Sequence, residues 1–293
     1  MNKAKIIKNT LKFKYKHSRN IGFWLEDENL VPLTLSSLSI IDKYDRGVLP
    51  DNIEVVKNTP VNKRLLFRID CPYTTQKTII VKALNLHMLR LRFKYCWMKY
   101  HRYGFSETAN IIVARERGIK LPKVYGYGQV YNSFGLIKKD IVFLEDLGNH
   151  IPINELLDQN KDNSQKCVDI LDSVIPLLIT HYKARCNNWD INTGSIVFDQ
   201  KSPILEAKNL DFEYIVFNKK PSLEVLMFLA ARLVWHIIYA SPWIGNEIFS
   251  PWINRLIEAA GIKDTAIRKQ LTERFHYHLA KDYIPHRERM KVC

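Results

Sequence analysis

The chain lacks any pair of cysteines at a spacing that suggests metal binding or a disulfide. Its five cysteines are scattered and odd in number, and none stands in a Cys-x-x-Cys spacing (Cys71, Cys96, Cys167, Cys186, Cys293). The histidines likewise offer no spacing that includes a third metal ligand. This pattern argues against a disulfide framework and a zinc site, and it favours reduced thiols in a cytosolic protein.

Acidic residues are scarce relative to basic ones. The chain has 44 lysines and arginines against 30 aspartates and glutamates, a formal net charge of +14. No acidic residue precedes Glu26, and that stretch lacks the apolar core of a secretory signal while it carries a series of cations (Lys3, Lys5, Lys8, Lys12, Lys14, Lys16, Arg19). The excess predicts an anionic partner, namely nucleic acid, an acidic membrane surface or a phosphorylated substrate. Because the chain shows no helix-turn-helix, RNP or zinc-finger pattern, we disfavour nucleic acid.

Long uninterrupted apolar runs are also missing. The most apolar segment, residues 223–243, is interrupted by Arg232 and His236. A charge near the middle of a membrane span is costly, so we expect a buried core helix there. With 46% apolar and 25% charged residues in 293, the chain is expected to be globular and large enough for one large domain or two lobes.

Periodicity divides the chain into a β-rich part and a helical part. Helical spacing covers residues 86–103, Gly104 and Ser106 predict a break and an N-cap, and Gly118 predicts the C-cap of a helix over 107–117. Short β-rich runs separated by polar turns lie at 53–56, 64–69, 78–82, 124–130 and 137–144. From residue 154 the pattern is mainly helical. We therefore predict a bilobal α+β fold with a basic N-terminal extension (1–50), a β-rich N-lobe (51–147) and a mainly helical C-lobe (148–293).

Two aspartates frame a predicted β-hairpin. Asp190 lies in a polar segment before the apolar run 196–198, and Asp211 follows the hairpin in Leu210-Asp211-Phe212. Phosphoryl transfer uses such a pair, since one carboxylate orients the acceptor hydroxyl and the other holds a metal at the nucleotide phosphates. The alternative is two loop aspartates beside an ordinary hairpin.

A lysine and a glutamate complete this scheme. Lys82 ends an apolar strand, where a cation can reach nucleotide phosphates, and Glu107 opens the next helix, where it can pair with the lysine. Taken singly, Lys82 could be an ordinary strand-end lysine and Glu107 a first-turn acid that favours the helix dipole. The order lysine, glutamate, aspartate, hairpin, aspartate favours a kinase-like phosphotransferase.

Several stretches between residues 64 and 217 resemble a known family. They are Glu107-Thr108-Ala109-Asn110 through Gly118-Ile119, the segment 122–128 with its Tyr-Gly-Tyr-Gly, and the segment 141–147, which looks like a hinge between lobes. The chain resembles the lipopolysaccharide core sugar kinases of Gram-negative bacteria (the Kdo/WaaP type), small members of the protein-kinase-like fold. A basic insertion between the strand lysine and the helix glutamate is similar as well.

The resemblance implies a role for each matching residue. Lys82 would bind phosphate, Glu107 would be its partner, Asp190 would be the catalytic aspartate and Asp211 a metal ligand. Backbone groups between Glu145 and Leu147 would hold adenine, and ATP and Mg²⁺ would be required.

Four features depart from the kinase pattern. Asn188 stands in the histidine place of the catalytic loop, and Ser195 stands in the place of the metal-binding asparagine, where serine is a poorer ligand. Glu213 follows Asp211-Phe212 in place of glycine, and it could itself face the metal. The loop 57–62 has no glycine for a phosphate cradle. These departures leave a pseudokinase that acts as an envelope scaffold or regulator as the alternative.

The predicted helix over 86–103 is basic and aromatic. It has no acidic residue and carries Arg90, Arg92, Lys94, Lys99 and Arg102, with Phe93, Tyr95, Trp97, Tyr100 and Tyr103 between and beside them. It is either a solvated face with an aromatic inner stripe or a surface for an anionic glycolipid at the inner membrane leaflet. We expect a cytoplasmic, peripherally membrane-associated kinase for a heptose or Kdo hydroxyl of the lipopolysaccharide inner core. A kinase for another small-molecule or protein hydroxyl is the other alternative, and the oligomeric state stays open.

Overall fold

The computed structural model describes residues 2–48, 53–59, 64–74, 77–86, 88–97 and 103–281. The chain divides into two compact units. The first unit comprises Met1–Val113 and Pro122–Gly148, and the second comprises Ala114–Leu121 and Asn149–Cys293. The first is built on a β-sheet and the second is largely helical, which agrees with the α+β arrangement expected from the sequence.

An antiparallel seven-stranded sheet forms the centre of the first unit. Its spatial order is β1-β2-β6-β7-β5-β4-β3. The strands are β1 (Phe13–Ser18), β2 (Ile21–Leu25), β3 (Glu54–Thr59), β4 (Arg64–Asp70), β5 (Thr78–Asn85), β6 (Val124–Tyr131) and β7 (Ile137–Glu145). The helices are α1 (Lys3–Thr10), α2 (Val31–Asp45), α3 (Leu89–Trp97) and α4 (Tyr103–Glu116), and a 3₁₀ turn covers Glu28–Leu30.

The strands alternate between buried and more exposed side chains, as a sheet with one face on a core requires. Phe67, Val81 and Phe143 point into a fully buried cluster on one face. Leu38 and Ile41 of α2 belong to the same cluster, so α2 covers this face. The five strands expected between residues 53 and 144 are confirmed; their starts agree within one residue, and their C-terminal ends lie one to three residues later than expected.

Residues 2–48 belong to the sheet unit, although the sequence suggests a separate basic extension. They form α1, β1, β2 and α2, and the two strands extend the sheet beyond β6. Ile7 and Leu11 are each only 2% exposed. Apart from Lys3, the cations of this segment are exposed, which concealed the amphipathic pattern in the sequence.

A buried cation fixes α2 to the sheet. Lys139 on β7 is 2% exposed, and its ammonium group pairs with Asp42 and, at 2.8 Å, with Asp45 of α2. Asn85 of β5 also donates to Asp45 at 2.8 Å. Two carboxylates thus compensate one buried ammonium group.

The predicted break at Gly104 and Ser106 is wrong, because both residues lie inside α4. The backbone N–H of Gly104 donates to the Asp140 carboxylate at 3.0 Å, and a Cβ on Gly104 would lie 2.8 Å from Val142. Glycine is therefore required by close packing on β7. Gly118 follows the helix with φ of +86°, as the predicted C-cap requires. Of the helix expected over 86–103, the structure shows α3. Residues 98–102 of that expected helix lie outside the described part.

The second unit has a helical core with short strands. Its helices are α5 (Ile153–Gln159), α6 (Ser164–Asp172), α7 (Ile175–Lys183), α8 (Leu223–Ala240), α9 (Phe249–Ala259) and α10 (Thr265–Ala280), with a 3₁₀ turn at Asn246–Ile248. Its strands are β8 (His150–Pro152), β9 (Cys186–Asn188), β10 (Ile196–Asp199), β11 (Ala207–Asn209) and β12 (Ile215–Phe217). The β10–β11 pair is the hairpin expected between the two aspartates.

Helix α8 is the centre of this core. By length and composition it is the one helix in the described ranges that could cross a membrane, yet 61% of it is buried inside the protein. It packs within the same cluster as α7, α9 and α10. The expectation of a buried core helix is confirmed.

Candidate active site

The first group of candidate residues is an ion pair in the sheet unit. Lys82 lies on β5, and its Nζ is 2.8 Å from Oε2 of Glu107 on α4. The Glu107 side chain is 2% exposed and that of Lys82 is 22% exposed. A buried carboxylate thus directs a partly accessible ammonium group, as a site for nucleotide phosphates requires. The structure brings these two predicted residues together.

Lys82 shares one face of the sheet with three apolar side chains. It pairs with Leu66 of β4 and with Val142 of β7. Two residues before it on β5, and so on the same face, lies Ile80. This face is opposite to the one that α2 covers.

The segment expected to hold adenine begins at the end of β7. Glu145 is the last residue of that strand, and its carboxylate accepts a hydrogen bond from the Lys123 backbone N–H at 2.9 Å. Leu147 lies two residues further along the chain and is half-buried. The side chain of Glu145 therefore has a structural contact, and the backbone of 145–147 stays the predicted binding element.

The second group lies in the loop of residues 188–195 in the second unit. Asp190 is half-buried, and its backbone N–H donates to Asn188 Oδ1 at 3.1 Å. Asn192 Nδ2 donates to the Asp190 carbonyl at 2.7 Å. The loop is therefore held by its own asparagines, which place Asp190 at a defined point between β9 and β10.

Asn188 joins this loop to the segment of Asp211. It is fully buried, and its Nδ2 donates to the Asp211 carbonyl at 2.9 Å. Strand β12 pairs antiparallel with β9, with Ile215 opposite Asn188. The sequence shows Asn188 only as a departure from the kinase histidine. Its hydrogen bonds to the segments of Asp190 and Asp211 indicate that it positions both of them. Only the three-dimensional contacts reveal this role.

Ser195 closes the loop. Its hydroxyl donates to the Asn192 carbonyl at 2.9 Å and accepts from the Asn192 N–H at 3.0 Å, while the Asn192 side chain accepts from the Ser195 N–H at 3.1 Å. Ser195 is 3% exposed. The structure thus shows Ser195 in a loop-stabilising role, and metal binding by its remaining lone pair stays a prediction.

Two carboxylates offer oxygen ligands for a metal ion in the second unit. Oxygens of Asp211 and Glu213 lie within 4.8 Å of each other, and Glu213 is 8% exposed. Hard divalent cations such as Mg²⁺ prefer carboxylate oxygens, so this donor set fits such an ion. Glu213, noted in the sequence as the residue in the glycine place, becomes the second candidate ligand.

The Asp211 segment packs on a buried histidine. The ring of Phe212 lies 5.8 Å from that of His181 on α7, and both residues are fully buried. Burial lowers the pKa of His181 to about 4, despite a hydrogen bond at the Cys186 backbone that raises it. A neutral imidazole therefore supports Phe212 from the core.

These features define a mixed α/β protein with a sheet-based first part and a helical second part, an arrangement compatible with a protein-kinase-like fold. No family model matches the chain, and no curated protein matches it. Among solved structures, the chain is similar to WaaP in complex with acyl carrier protein, with a TM-score of 0.53 and 11% sequence identity. The similarity covers 82% of this chain and 88% of the other. At this identity the likeness shows the fold alone.

Proposed function

We propose that the protein is an ATP-dependent phosphotransferase that phosphorylates a heptose or Kdo hydroxyl of the lipopolysaccharide inner core. The observation that carries the proposal is the 2.8 Å pair between Lys82 and the buried Glu107. Burial of a carboxylate is costly, and an apolar pair would stabilise a core at least as well. A directed, accessible lysine on a sheet face is what nucleotide phosphates require.

Each candidate residue then has a specific task. Lys82 binds phosphate oxygens and draws charge from the transferred group. Asp190 orients the acceptor hydroxyl and accepts its proton. Asp211, with Glu213 or Ser195, would hold Mg²⁺, which neutralises charge on the nucleotide phosphates when it is bound. Asn188 keeps the segments of Asp190 and Asp211 in register. The work is mostly positioning and electrostatics.

The acceptor and the cellular location are inferred from the likeness to WaaP and from charge. The exposed cations of residues 5–19 and the exposed Arg90 on α3 suit an anionic glycolipid. Leu89 and Phe93 on the same helix are 55% and 53% exposed, which suits contact with a lipid headgroup layer. We therefore infer peripheral association with the cytoplasmic face of the inner membrane.

The test is phosphate transfer from ATP to purified rough-type lipopolysaccharide, read by mass spectrometry of the core. The assay includes Mg²⁺ and is run with and without acyl carrier protein, the partner of WaaP in the solved complex. We expect the unaltered protein to add phosphate and Asp190→Asn to lose this activity. Asp162→Asn, an exposed aspartate outside the loop, is the matched control and should retain it.

The alternatives give different results. A pseudokinase would add no phosphate to any core, and its scaffold function would survive Asp190→Asn. A kinase for another small-molecule or protein hydroxyl would bind and hydrolyse ATP, yet its activity would not change when Arg90, Arg92 and Lys94 are neutralised. Loss of lipopolysaccharide phosphorylation in that triple variant, with ATP binding intact, supports the glycolipid acceptor.

A further inference from the structure

A buried carboxylate directly after β7 receives several hydrogen bonds. Asp146 is 3% exposed. Its two oxygens accept from Arg68 Nε and, at 3.2 Å, from Arg68 Nη2, so the guanidinium group binds it at two points. Thr78 Oγ1 donates at 2.8 Å and the Gly148 N–H at 2.9 Å. We refer to Asp146 with these three donors as the Asp146 clamp.

The clamp joins the segment after β7 to the strands that carry the nucleotide lysine. Arg68 lies on β4, two residues after Leu66, which is the cross-strand neighbour of Lys82. Thr78 lies on β5, four residues before Lys82. Since side chains alternate along a strand, both donors are on the Lys82 face of the sheet. Arg68 also pairs through Nη1 with Glu54 of β3.

The charges of the clamp are stable at neutral pH. Burial raises the pKa of Asp146, but hydrogen bonds from Arg68, the Gly148 N–H and Thr78 outweigh this effect and leave the pKa below its ordinary value. Arg68 is charged as well, because its hydrogen bond to Asp146 raises its pKa. The contacts are therefore charge-assisted and directional.

A purely structural role explains this arrangement poorly. Buried ion pairs stabilise a fold no better than apolar side chains of similar volume, whereas their best-attested use is to fix a register. The register fixed here is that of residues 145–148 relative to β4 and β5. Those strands present Leu66, Ile80 and Lys82 on one face.

We propose that Arg68 is a positioning residue for the nucleotide base. Through Asp146 it fixes the backbone of residues 145–147, the segment assigned to adenine, at a set distance from the phosphate-binding Lys82. The inference rests on the proposed function. It separates two tasks within the sheet unit, since Lys82 and Glu107 act on the phosphates while Arg68, Thr78 and Asp146 act on the base.

Three probes test this division by calorimetric titration: ATP, adenosine and inorganic tripolyphosphate. In Arg68→Met we expect affinity for adenosine and ATP to fall by about tenfold, the size of one charge-assisted bond, with tripolyphosphate affinity unchanged. In Lys82→Met we expect affinity for tripolyphosphate to fall and affinity for adenosine to stay unchanged. Arg68→Lys should recover part of the adenosine affinity, and steady-state assays of Arg68→Met should show a raised KM for ATP at nearly constant kcat.

The controls separate positioning from loss of folding. Lys138→Met removes an exposed cation from β7 of the same sheet and should bind all three probes normally. Thr78→Val removes one donor while the ion pair stays, and it should weaken adenosine binding by about threefold. An equal loss of all three probes in folded Arg68→Met, or no loss of adenosine, would overturn the inference. If the unaltered protein binds none of the probes, the proposed function itself fails.

Discussion

Gly128 of the Tyr-Gly-Tyr-Gly stretch is expected to be intolerant of even one methyl group. On β6 it pairs with Phe23 of β2, and a Cβ built on it would lie 2.3 Å from two ring carbons of Phe23. Phe23 is fully buried and its ring lies 6.0 Å from that of Phe143. The ring therefore has little room to move away, because the interior is close-packed.

The magnitude follows from two opposing terms. Forcing a methyl group into a packed core costs about 3 kcal/mol. Replacement of glycine by alanine recovers about 0.7 kcal/mol, since the unfolded chain loses conformational freedom. Gly128→Ala should therefore lower the free energy of unfolding by about 2 kcal/mol. The assay is urea unfolding followed by tryptophan fluorescence and far-UV circular dichroism.

Gly22 provides a matched control in the same sheet. It lies on β2 beside Phe23, and a Cβ on it would meet nothing within 4 Å. Gly22→Ala should be neutral or slightly stabilising. Phe23→Leu should lower stability alone but should largely relieve Gly128→Ala in the double variant, with a coupling of about 1–2 kcal/mol. Equal stability of the two alanine variants, or additivity in the double variant, would refute the packing argument.

Three other predictions concern ionisable side chains. Because the folded pKa of His181 is about 4 and its ordinary value is 6.5, the unfolded chain binds the proton first as the pH falls. The free energy of unfolding should therefore drop by about 2 kcal/mol between about pH 7 and pH 4.5, and His181→Leu should flatten this slope in urea titrations. Lys139→Met should lower the free energy of unfolding by about 2 kcal/mol, because two carboxylates of α2 lose their buried cation. Lys138→Met at an exposed position should lower it by less than about 0.5 kcal/mol. Both variants are measured by urea unfolding. Glu107→Gln should reduce phosphate transfer by about 100-fold while unfolding stays cooperative, because Lys82 loses its directing charge; unchanged transfer would contradict the proposed nucleotide site.

The sequence predicted most of the elements that bear candidate site residues. Strand β5 with Lys82 and the β10–β11 hairpin between the aspartates follow from apolar runs bounded by polar turns. The sequence pattern placed the start of α4 near residue 107 rather than at Tyr103, because glycine and serine normally mark a helix boundary. At Gly104 close packing on β7 outweighs that local preference. The two N-terminal strands were also missed. Cations interrupt β1, and β2 is a run of only five residues next to this basic stretch.

What the sequence by itself determined is the order of chemical groups: a strand lysine, a helix glutamate and two aspartates about a hairpin. Local patterns suffice for that, because strand and turn preferences depend on neighbours along the chain. Only the tertiary structure decided which groups meet. The 2.8 Å contact of Lys82 with Glu107, the bond of Asn188 to the Asp211 carbonyl and the clamp of Arg68 on Asp146 join residues 23 to 78 positions apart. Such contacts arise from sheet register and burial, which no short segment of sequence encodes.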